Sequence, residues 1–485
     1  MRRFFILLVT TAISAVSVQA QNAKTIADAI HYTKLANTLR EVDKSPESIS
    51  LLNRAMPAFI SGKSVYWQAV ANELIGLSYK DIKDTTNALA YLQKSLDLYG
   101  KLKYVASGWG VNEVMRALSS KNIYAGIQFN ETGVRVAIFK TKYESDFYEK
   151  DIKTTFDIPN NLLVADASSS FKGSQDALRI GLDSIRRYQI PNERIFVVLS
   201  SDMSNELAQT PEGRKKLYTQ LERAVPGTGL RIDTTFTPAR EAQLFTIGAI
   251  PRKVWPTTSA LNVGNNSTMG GYFESEASRR NYTNVDKDFH EITLPLGVNT
   301  IVSKIESKKS LGIDAYRREA QLVVPAIADS ALKPFIQNRD TGLQERRTVG
   351  LGGDIVQALV AYLHPDKAGV TAVAVTVNDI EQFKRMALTD YKALTRPDLK
   401  DIPNAGIRRQ AEQDINASQN QLSEKQIIAG ALWLDYVTRV YNNSLGSKRF
   451  VFIRNSDLGW VTGKFLETIN NEYESTIAKG DFYTR

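Results

Sequence analysis

The chain has 485 residues, no cysteine and a formal net charge of +9. Without cysteine, disulfides, thiol catalysis and thiolate metal sites are excluded, and the length predicts two to four domains. The basic residues are spread along the chain, which is typical of a solvated basic surface, and we expect no nucleic-acid partner.

The first twenty residues have the pattern of a secretory signal peptide. Arg2 and Arg3 precede a mostly apolar run over residues 4–18, and Ala20 is a small residue suited to cleavage. The alternative is an uncleaved N-terminal anchor. No later apolar run is long enough to span a bilayer. We therefore expect a signal peptide over 1–20 and a mature protein that is periplasmic or secreted.

Residues 21–120 predict a helical module. Within 72–99, small and bulky residues fall at the offsets of tetratricopeptide repeats, namely at Gly76, Tyr79, Ala88, Leu92 and Ser95. Residues 35–56 repeat this pattern less cleanly. Two interpretations stay open for this tetratricopeptide-like module: a groove that binds a protein partner through residues 22–120, or a helical prop for the rest of the chain.

From Asn122 onward, predicted strands and helices alternate. We expect strands at Tyr124–Gln128, Val134–Lys140, Arg194–Ser200 and Leu230–Phe236, and helices at Gly173–Tyr188, Arg214–Ala224 and Arg240–Ile250. A second strand–turn–strand begins at Leu261, and helices then continue to the end except for a strand at Lys448–Arg454. This repetition predicts two similar α/β lobes around a cleft, over 121–256 and 257–485.

Three turns rich in glycine or asparagine stand out, in 124–139, 261–273 and 349–359. Glycine and asparagine tolerate positive φ, so the backbone can direct N–H groups toward a bound anion. The alternative is that these are ordinary tight turns. The candidate phosphate-binding residues are Asn130, Thr132, Arg135, Gly264, Asn265, Asn266, Ser267, Thr268, Gly350, Gly352 and Gly353.

With these turns and five further segments, the chain from Asn122 to Leu466 resembles the Ppx/GppA (exopolyphosphatase/guanosine pentaphosphatase) family. The further segments are Arg194–Asp202, Arg240–Ile250, Leu294–Val298, Ile427–Ala431 and Ser456–Gly463. The resemblance implies a two-lobed actin-like ATPase (ribonuclease H-like) α/β fold, here preceded by the helical domain. It also implies polyphosphate or another phosphoanhydride as ligand in the cleft, and Glu241 aligns with the residue regarded as the family's general base.

The chain departs from the family at its acidic positions. Gln128 and Asn262 stand where the family has Asp, Met269 stands where it has Glu, and Ser204 stands where an Arg is usual. Those carboxylates hold magnesium in the family, and neither an amide nor a thioether replaces their charge on a hard cation. We therefore assign no metal ligands, and Mg²⁺ is the only cofactor to consider.

Asp354 is an additional carboxylate at a position where the family has Thr. It is either a relocated site carboxylate or a helix N-cap, and the N-cap is the favoured interpretation. The three histidines, His31, His290 and His364, lie far apart and make a Ser-His-Asp triad or a zinc site implausible.

Two hypotheses follow. The first is an exported enzyme that binds polyphosphate or a related phosphoanhydride and hydrolyses it with Glu241 as base. The second is a catalytically inactive pseudo-phosphatase that acts as a scaffold or interaction protein through its helical module.

Overall fold

The computed structural model describes residues 21–130, 133–144, 147–159, 167–200, 210–223, 230, 237–276, 287–338 and 341–479. The expected signal peptide and most of the strand expected at Leu230–Phe236 lie outside these residues. The chain divides into two compact units. One ends at Asn122 and also includes the residues from Ser475 onward, and the other runs from Ile123 to Glu474. No described helix is long and apolar enough to cross a bilayer.

The first unit consists mainly of five consecutive helices: α1 (Ile26–Glu41), α2 (Ser45–Ser61), α3 (Val65–Asp81), α4 (Thr85–Leu102) and α5 (Val105–Leu118). Small residues permit close packing, as the sequence pattern indicates. A Cβ atom on Gly76 of α3 would lie 2.7 Å from Cγ of Leu92 on α4. Ala88 and Leu92 are completely buried at this contact.

The same turn ends the first four helices. A non-glycine residue with positive φ occurs at positions 43, 63, 83 and 103, which is a spacing of 20 residues. The next N–H donates to a carbonyl five residues back, for example Asp84 N to Tyr79 O at 2.9 Å, which is the bond of a Schellman motif. A two-helix unit therefore takes 40 residues, compared with about 34 in a tetratricopeptide repeat, and the tetratricopeptide assignment stays a prediction.

The second unit contains two sheets. The first has the order β3-β2-β1-β4 and the second has the order β7-β6-β5-β8-β10-β9. Their strands are β1 (Ile123–Asn130), β2 (Gly133–Glu144), β3 (Phe147–Pro159) and β4 (Ile195–Leu199), and then β5 (Thr258–Val263), β6 (Thr268–Phe273), β7 (Phe289–Leu294), β8 (Thr348–Gly352), β9 (Ala372–Val375) and β10 (Arg449–Ile453).

The two sheets repeat one arrangement. Each begins with three antiparallel strands, and the first strand of that set then pairs in parallel with a later one, β1 with β4 and β5 with β8. Such repetition confirms the prediction of a two-lobed α/β fold preceded by a helical region. Strands β3, β7, β8 and β9 were not expected from the sequence. The expectation of helices alone between the second strand–turn–strand and Lys448 is therefore wrong.

The helices of the second unit are α6 (Ala167–Arg186), α7 (Pro211–Arg223), α8 (Pro238–Ala249), α9 (Val298–Ile305), α10 (Ile313–Ile327), α11 (Lys333–Gln337), α12 (Thr341–Glu345), α13 (Asp354–Leu363), α14 (Val377–Thr389), α15 (Tyr391–Leu394), α16 (Ala405–Gln421), α17 (Glu424–Leu445) and α18 (Gly459–Lys479). Two of them begin with a capping box, Thr376 with Asp379 in α14 and Ser423 with Gln426 in α17.

The last helix, α18, packs on the first sheet. Phe465 of α18 stacks on Phe139 of β2, with ring centroids 4.9 Å apart. Helix α8, which precedes the second lobe in sequence, packs against β5, β6 and β7 of the second sheet. From the sequence we expected all C-terminal helices in the second lobe, and α18 differs from that expectation. An amphipathic pattern predicts a buried face but does not identify the sheet that covers it.

Candidate functional site

Residues from the first and third turns meet between the lobes. Strands β5 and β8 are parallel neighbours, so the loop after β5 and the turn after β8 lie side by side. Nδ2 of Asn265 donates to Oδ2 of Asp354 at 3.1 Å. From the first lobe, Arg135 of β2 reaches the same carboxylate, with Nη2 3.6 Å from Oδ1.

Arg135 is the buried centre of an ion network that reaches the surface at Asp157. Its side chain is 8% exposed and contacts three carboxylates: Asp157 of β3, Asp354 of α13, and Asp457, which receives a short hydrogen bond from Nη1. Burial lowers the pKa of the guanidinium, but the three carboxylates outweigh that effect and raise it. Arg135 is therefore a permanently charged, fully compensated cation.

This surplus of carboxylates bears on the predicted role of Arg135. One guanidinium and three carboxylates carry a net charge of −2 in the ionised state. A phosphate approaching Arg135 would meet this negative charge rather than a free cation. The sequence analysis missed Asp157 and Asp457: β3 was not predicted, and Asp457 was present only as part of a family segment.

Gln128 has a structural task that the family's aspartate could not perform. It is completely buried on β1, directly opposite Arg135 in the sheet. Its Nε2 donates to the carbonyl of Asp457 at 2.5 Å, and its Oε1 accepts from the N–H of Val461. A carboxylate has no donor for the first of these bonds. The amide therefore ties the first strand to the start of α18.

Much of the backbone of the loop after β5 is already hydrogen-bonded within the protein. The N–H of Gly264 donates to the carbonyl of Ser267 at 2.9 Å, and the carbonyls of Gly264 and Asn265 accept from the N–H groups of Val298 and Asn299. Asn266 is half-buried in this loop. The hydroxyl of Ser267 is buried and has no hydrogen-bond partner among the described residues.

Thr268 belongs to the core of the second lobe. Its Oγ1 donates to the carbonyl of Leu296 at 2.7 Å and accepts from Nε1 of Trp433 at 3.0 Å. The donor of this hydroxyl is thus already used, which leaves none for an anion. Asn262 and Met269 face each other across the β5–β6 hairpin, and both are buried.

Packing accounts for the glycines of the third turn. Gly353 has φ +106°, and a Cβ there would lie 2.1 Å from the carbonyl oxygen of Val263. A Cβ on Gly352 would lie 2.7 Å from Oγ of Ser456, and one on Gly350 would lie 3.3 Å from Ile453. Close approach within the protein is therefore sufficient reason for glycine at these positions, as the ordinary-turn alternative expects.

The N-cap interpretation of Asp354 is wrong. The N-cap of α13 is Gly353, and it makes no side-chain cap hydrogen bond. Asp354 is the first helical residue, where a carboxylate interacts favourably with the helix dipole. Its side chain instead joins Asn265 to Arg135, and a role as a relocated site carboxylate stays a prediction.

Glu241 lies in the first turn of α8 and is completely buried. The solvated-carboxylate alternative is therefore wrong, because a solvated side chain cannot be inaccessible to water. Its role as a general base stays a prediction. Asn130 is the last residue of β1, and Thr132 and Ser204 lie outside the described residues.

Lys150 of β3 is a buried amine that the sequence analysis missed. Its Nζ donates to the carbonyl of Gly248 at 2.5 Å, near the end of α8. Burial lowers its pKa to about 8, although the carboxylates of Glu149 and Asp457 act in the opposite direction.

The residues present do not fit a magnesium site. Gln128, Asn262 and Met269 offer amides and a thioether rather than carboxylates, and the carboxylates that do converge are held by Arg135. In the described part of the chain, no group of three or more His, Asp or Glu side chains is arranged to hold a metal ion.

Several solved structures are similar to part of this chain and align with 72% of it. An exopolyphosphatase-like protein matches with a TM-score of 0.49 and 13% identity, over 72% of this chain and 99% of its own. An exopolyphosphatase from Cytophaga hutchinsonii gives 0.46 and 10%, over 72% and 98%. A Ppx/GppA family member from Aquifex aeolicus gives 0.44 and 14%, also over 72% and 98%. No protein-family model and no curated protein sequence matches the chain.

Proposed function

We propose that the protein is an exported, catalytically inactive pseudo-phosphatase that acts as an interaction protein through its helical unit. The observation that carries this proposal is the compensation of Arg135 by three carboxylates. Hydrolysis of a phosphoanhydride requires positive charge on the phosphoryl oxygens. At this position between the lobes, the protein supplies a net negative group instead.

The absence of suitable metal donors supports the same conclusion. A bound cation would be the usual means of neutralising a polyphosphate chain. Gln128 and Met269 offer an amide and a thioether where a hard cation needs carboxylates, and both side chains are buried in other packing. Polyphosphate binding and hydrolysis with Glu241 as base is therefore the competing hypothesis.

The first, helical unit exposes more large apolar side chains than the second unit, and such a surface suits a protein partner. Of the twelve large apolar side chains that are exposed among the described residues, seven belong to the first unit. Tyr66 and Tyr104 are 41% and 48% exposed and contact each other edge to face, with centroids 5.7 Å apart. Exposed aromatic side chains of this kind are enriched in protein interfaces.

The chemical part of the proposal is tested by phosphate release from long-chain polyphosphate. The mature protein and Glu241→Gln should both release no more phosphate than a buffer blank, with or without Mg²⁺. Magnesium-dependent release by the wild-type protein that is lost in Glu241→Gln would contradict the proposal and support hydrolysis.

A gain-of-binding variant avoids dependence on a negative result. Asp354→Asn removes one of the charges around Arg135, so affinity for pyrophosphate, measured by calorimetry, should rise about fivefold, as expected for about 1 kcal/mol of relieved repulsion. Asp366→Asn, which removes an exposed carboxylate paired with Lys367, is the matched control and should bind like wild type. Equal affinities in all three proteins would exclude charge compensation as the obstacle.

The interaction part requires a different readout. A partner cross-linked to the full chain in the exporting cell should be lost in the double variant Tyr66→Ser/Tyr104→Ser. It should be retained in Leu322→Ser, which removes a 70% exposed apolar side chain from the second unit. If the tyrosine variant still cross-links to the partner, the interface does not include Tyr66 and Tyr104. N-terminal sequencing of the mature protein should begin near Gln21 if the protein is exported by signal-peptide cleavage.

A further inference from the structure

A cavity of about 380 Å³ lies between the two lobes of the second unit. One wall is β3, from Ile152 to Asp157. The opposite wall is α16 together with Gln357 of α13, and the segment 454–458 closes one side. This volume lies within the range of small-molecule sites.

The charges of the cavity wall cancel. Three cations and three anions line it: Arg135, Lys153, Arg454, Asp157, Asp414 and Asp457. Each cation has a carboxylate partner. Arg135 contacts Asp157 and Asp457, Arg454 contacts Asp414 at 2.7 Å, and Lys153 contacts Asp151 at 2.6 Å. A polyanion would therefore find no uncompensated positive charge in the wall.

The wall is rich in side-chain amides instead. Positions 410, 413, 417 and 421 of α16 fall on one helical face, and three of them are glutamines. Gln410 is engaged by Asp414 at 2.9 Å. The amides of Gln413, Gln421 and Gln357 make no hydrogen bond to any residue in the described ranges. The opposite wall adds the hydroxyls of Thr154 and Thr155.

We infer that this cavity binds an uncharged polyhydroxyl ligand of the mono- or disaccharide class. A side-chain amide offers hydrogen-bond donors and an acceptor, and a hydroxyl group offers a donor and acceptors. Several neighbouring amides therefore match a ligand with several adjacent hydroxyls. A neutral wall imposes no penalty on such a ligand, whereas each added phosphate would lose hydration without gaining a free cation. This site goes beyond the proposed interaction function and does not depend on it.

The test is calorimetry on the full mature chain with D-glucose and maltose as probes, and glucose 6-phosphate as the charged comparison. At least one neutral saccharide should bind, and glucose 6-phosphate should bind at least tenfold more weakly than glucose. No binding of either neutral saccharide, or equal binding of glucose and its phosphate, would overturn the inference.

Variants of the amide face make the site assignment specific. The double variant Gln413→Ala/Gln421→Ala should bind about tenfold more weakly, because it removes two amides that hydrogen-bond the ligand. Alanine is the best helix former, so α16 should stay folded. Asn416→Ala removes an exposed amide of the same helix outside the cavity wall and should bind like wild type. Wild-type affinity in the double variant would overturn the assignment.

Discussion

Single polar residues between the lobes have structural tasks. Gln128 uses both ends of its amide to hold the start of α18. Arg135 occupies the space beside it and carries its own positive charge. Its guanidinium is held by three carboxylates, which leaves the cluster with a surplus of negative charge when all groups are ionised.

Lys150 makes a pH-dependent contribution to stability. Its pKa is lowered from 10.5 to about 8 by burial, so between these values the unfolded chain binds more protons than the folded one. Stability should therefore rise with pH across this window. We expect the stability of Lys150→Met relative to wild type to decrease by about 2 kcal/mol between pH 7.5 and pH 10.5.

Urea denaturation followed by tryptophan fluorescence at several pH values measures this difference. The measured quantity is the slope of the free energy of unfolding against pH. The variant also loses the hydrogen bond to Gly248, but that loss does not determine the slope. Lys153→Met, on the same strand but largely exposed, should give a curve parallel to wild type. Parallel curves for Lys150→Met and wild type would show that the amine is solvated.

At the scale of elements, the first unit depends on its repeated turns. Lys63, Lys83 and Lys103 hold positive φ between 53° and 65°, a conformation that costs a non-glycine residue about 1 kcal/mol. Periodic apolar residues predict the helices, but no residue type predicts these turns. Lysine does not favour the left-handed conformation.

Replacement of Lys83 by glycine should therefore stabilise the protein. Relief of the backbone strain outweighs the added entropy of the unfolded chain, and we expect a gain of about 0.5 kcal/mol. Lys80→Gly, three residues earlier and inside α3, should instead cost about 1 kcal/mol. Thermal unfolding of both variants checks the prediction, and a loss of stability in Lys83→Gly would contradict the assigned turn.

Other elements show where sequence reasoning succeeded and where it ended. Short apolar runs predicted β4 and β10 to within one residue at each end, because a buried parallel strand has a distinctive composition. Strand β3 lies at the edge of its sheet and was missed, because the charged run Glu149–Asp151 and the adjacent Thr154 and Thr155 interrupt the alternation that would indicate a strand. Because β3 was not predicted, Asp157, Lys150 and one wall of the cavity were not predicted either. The residues of the cavity come together only through the tertiary fold.

At the scale of the whole second unit, two helices connect the lobes by crossing. Helix α8 packs on the second sheet and α18 packs on the first, and they meet at glycines. A Cβ on Gly463 would lie 2.0 Å from the carbonyl oxygen of Leu244, and one on Gly248 would lie 2.2 Å from the carbonyl oxygen of Gly459. The sequence predicted both helices, yet the crossing depends on contacts between residues more than 200 positions apart.

Because both partners at this crossing are backbone atoms, Gly463→Ala can be accommodated only if the helices move apart. We expect it to lower the free energy of unfolding by about 2 kcal/mol, since overpacking typically costs 1–3 kcal/mol. Gly110→Ala is the matched control. Gly110 also lies inside a helix, nothing lies within 4 Å of its added Cβ, and the change should stabilise the protein by up to about 1 kcal/mol. Chemical denaturation of the two variants separates propensity from packing. If Gly463→Ala were as stable as Gly110→Ala, the helices would not be in backbone contact, and the Gln128 and Arg135 contacts would have to hold the lobes together without them.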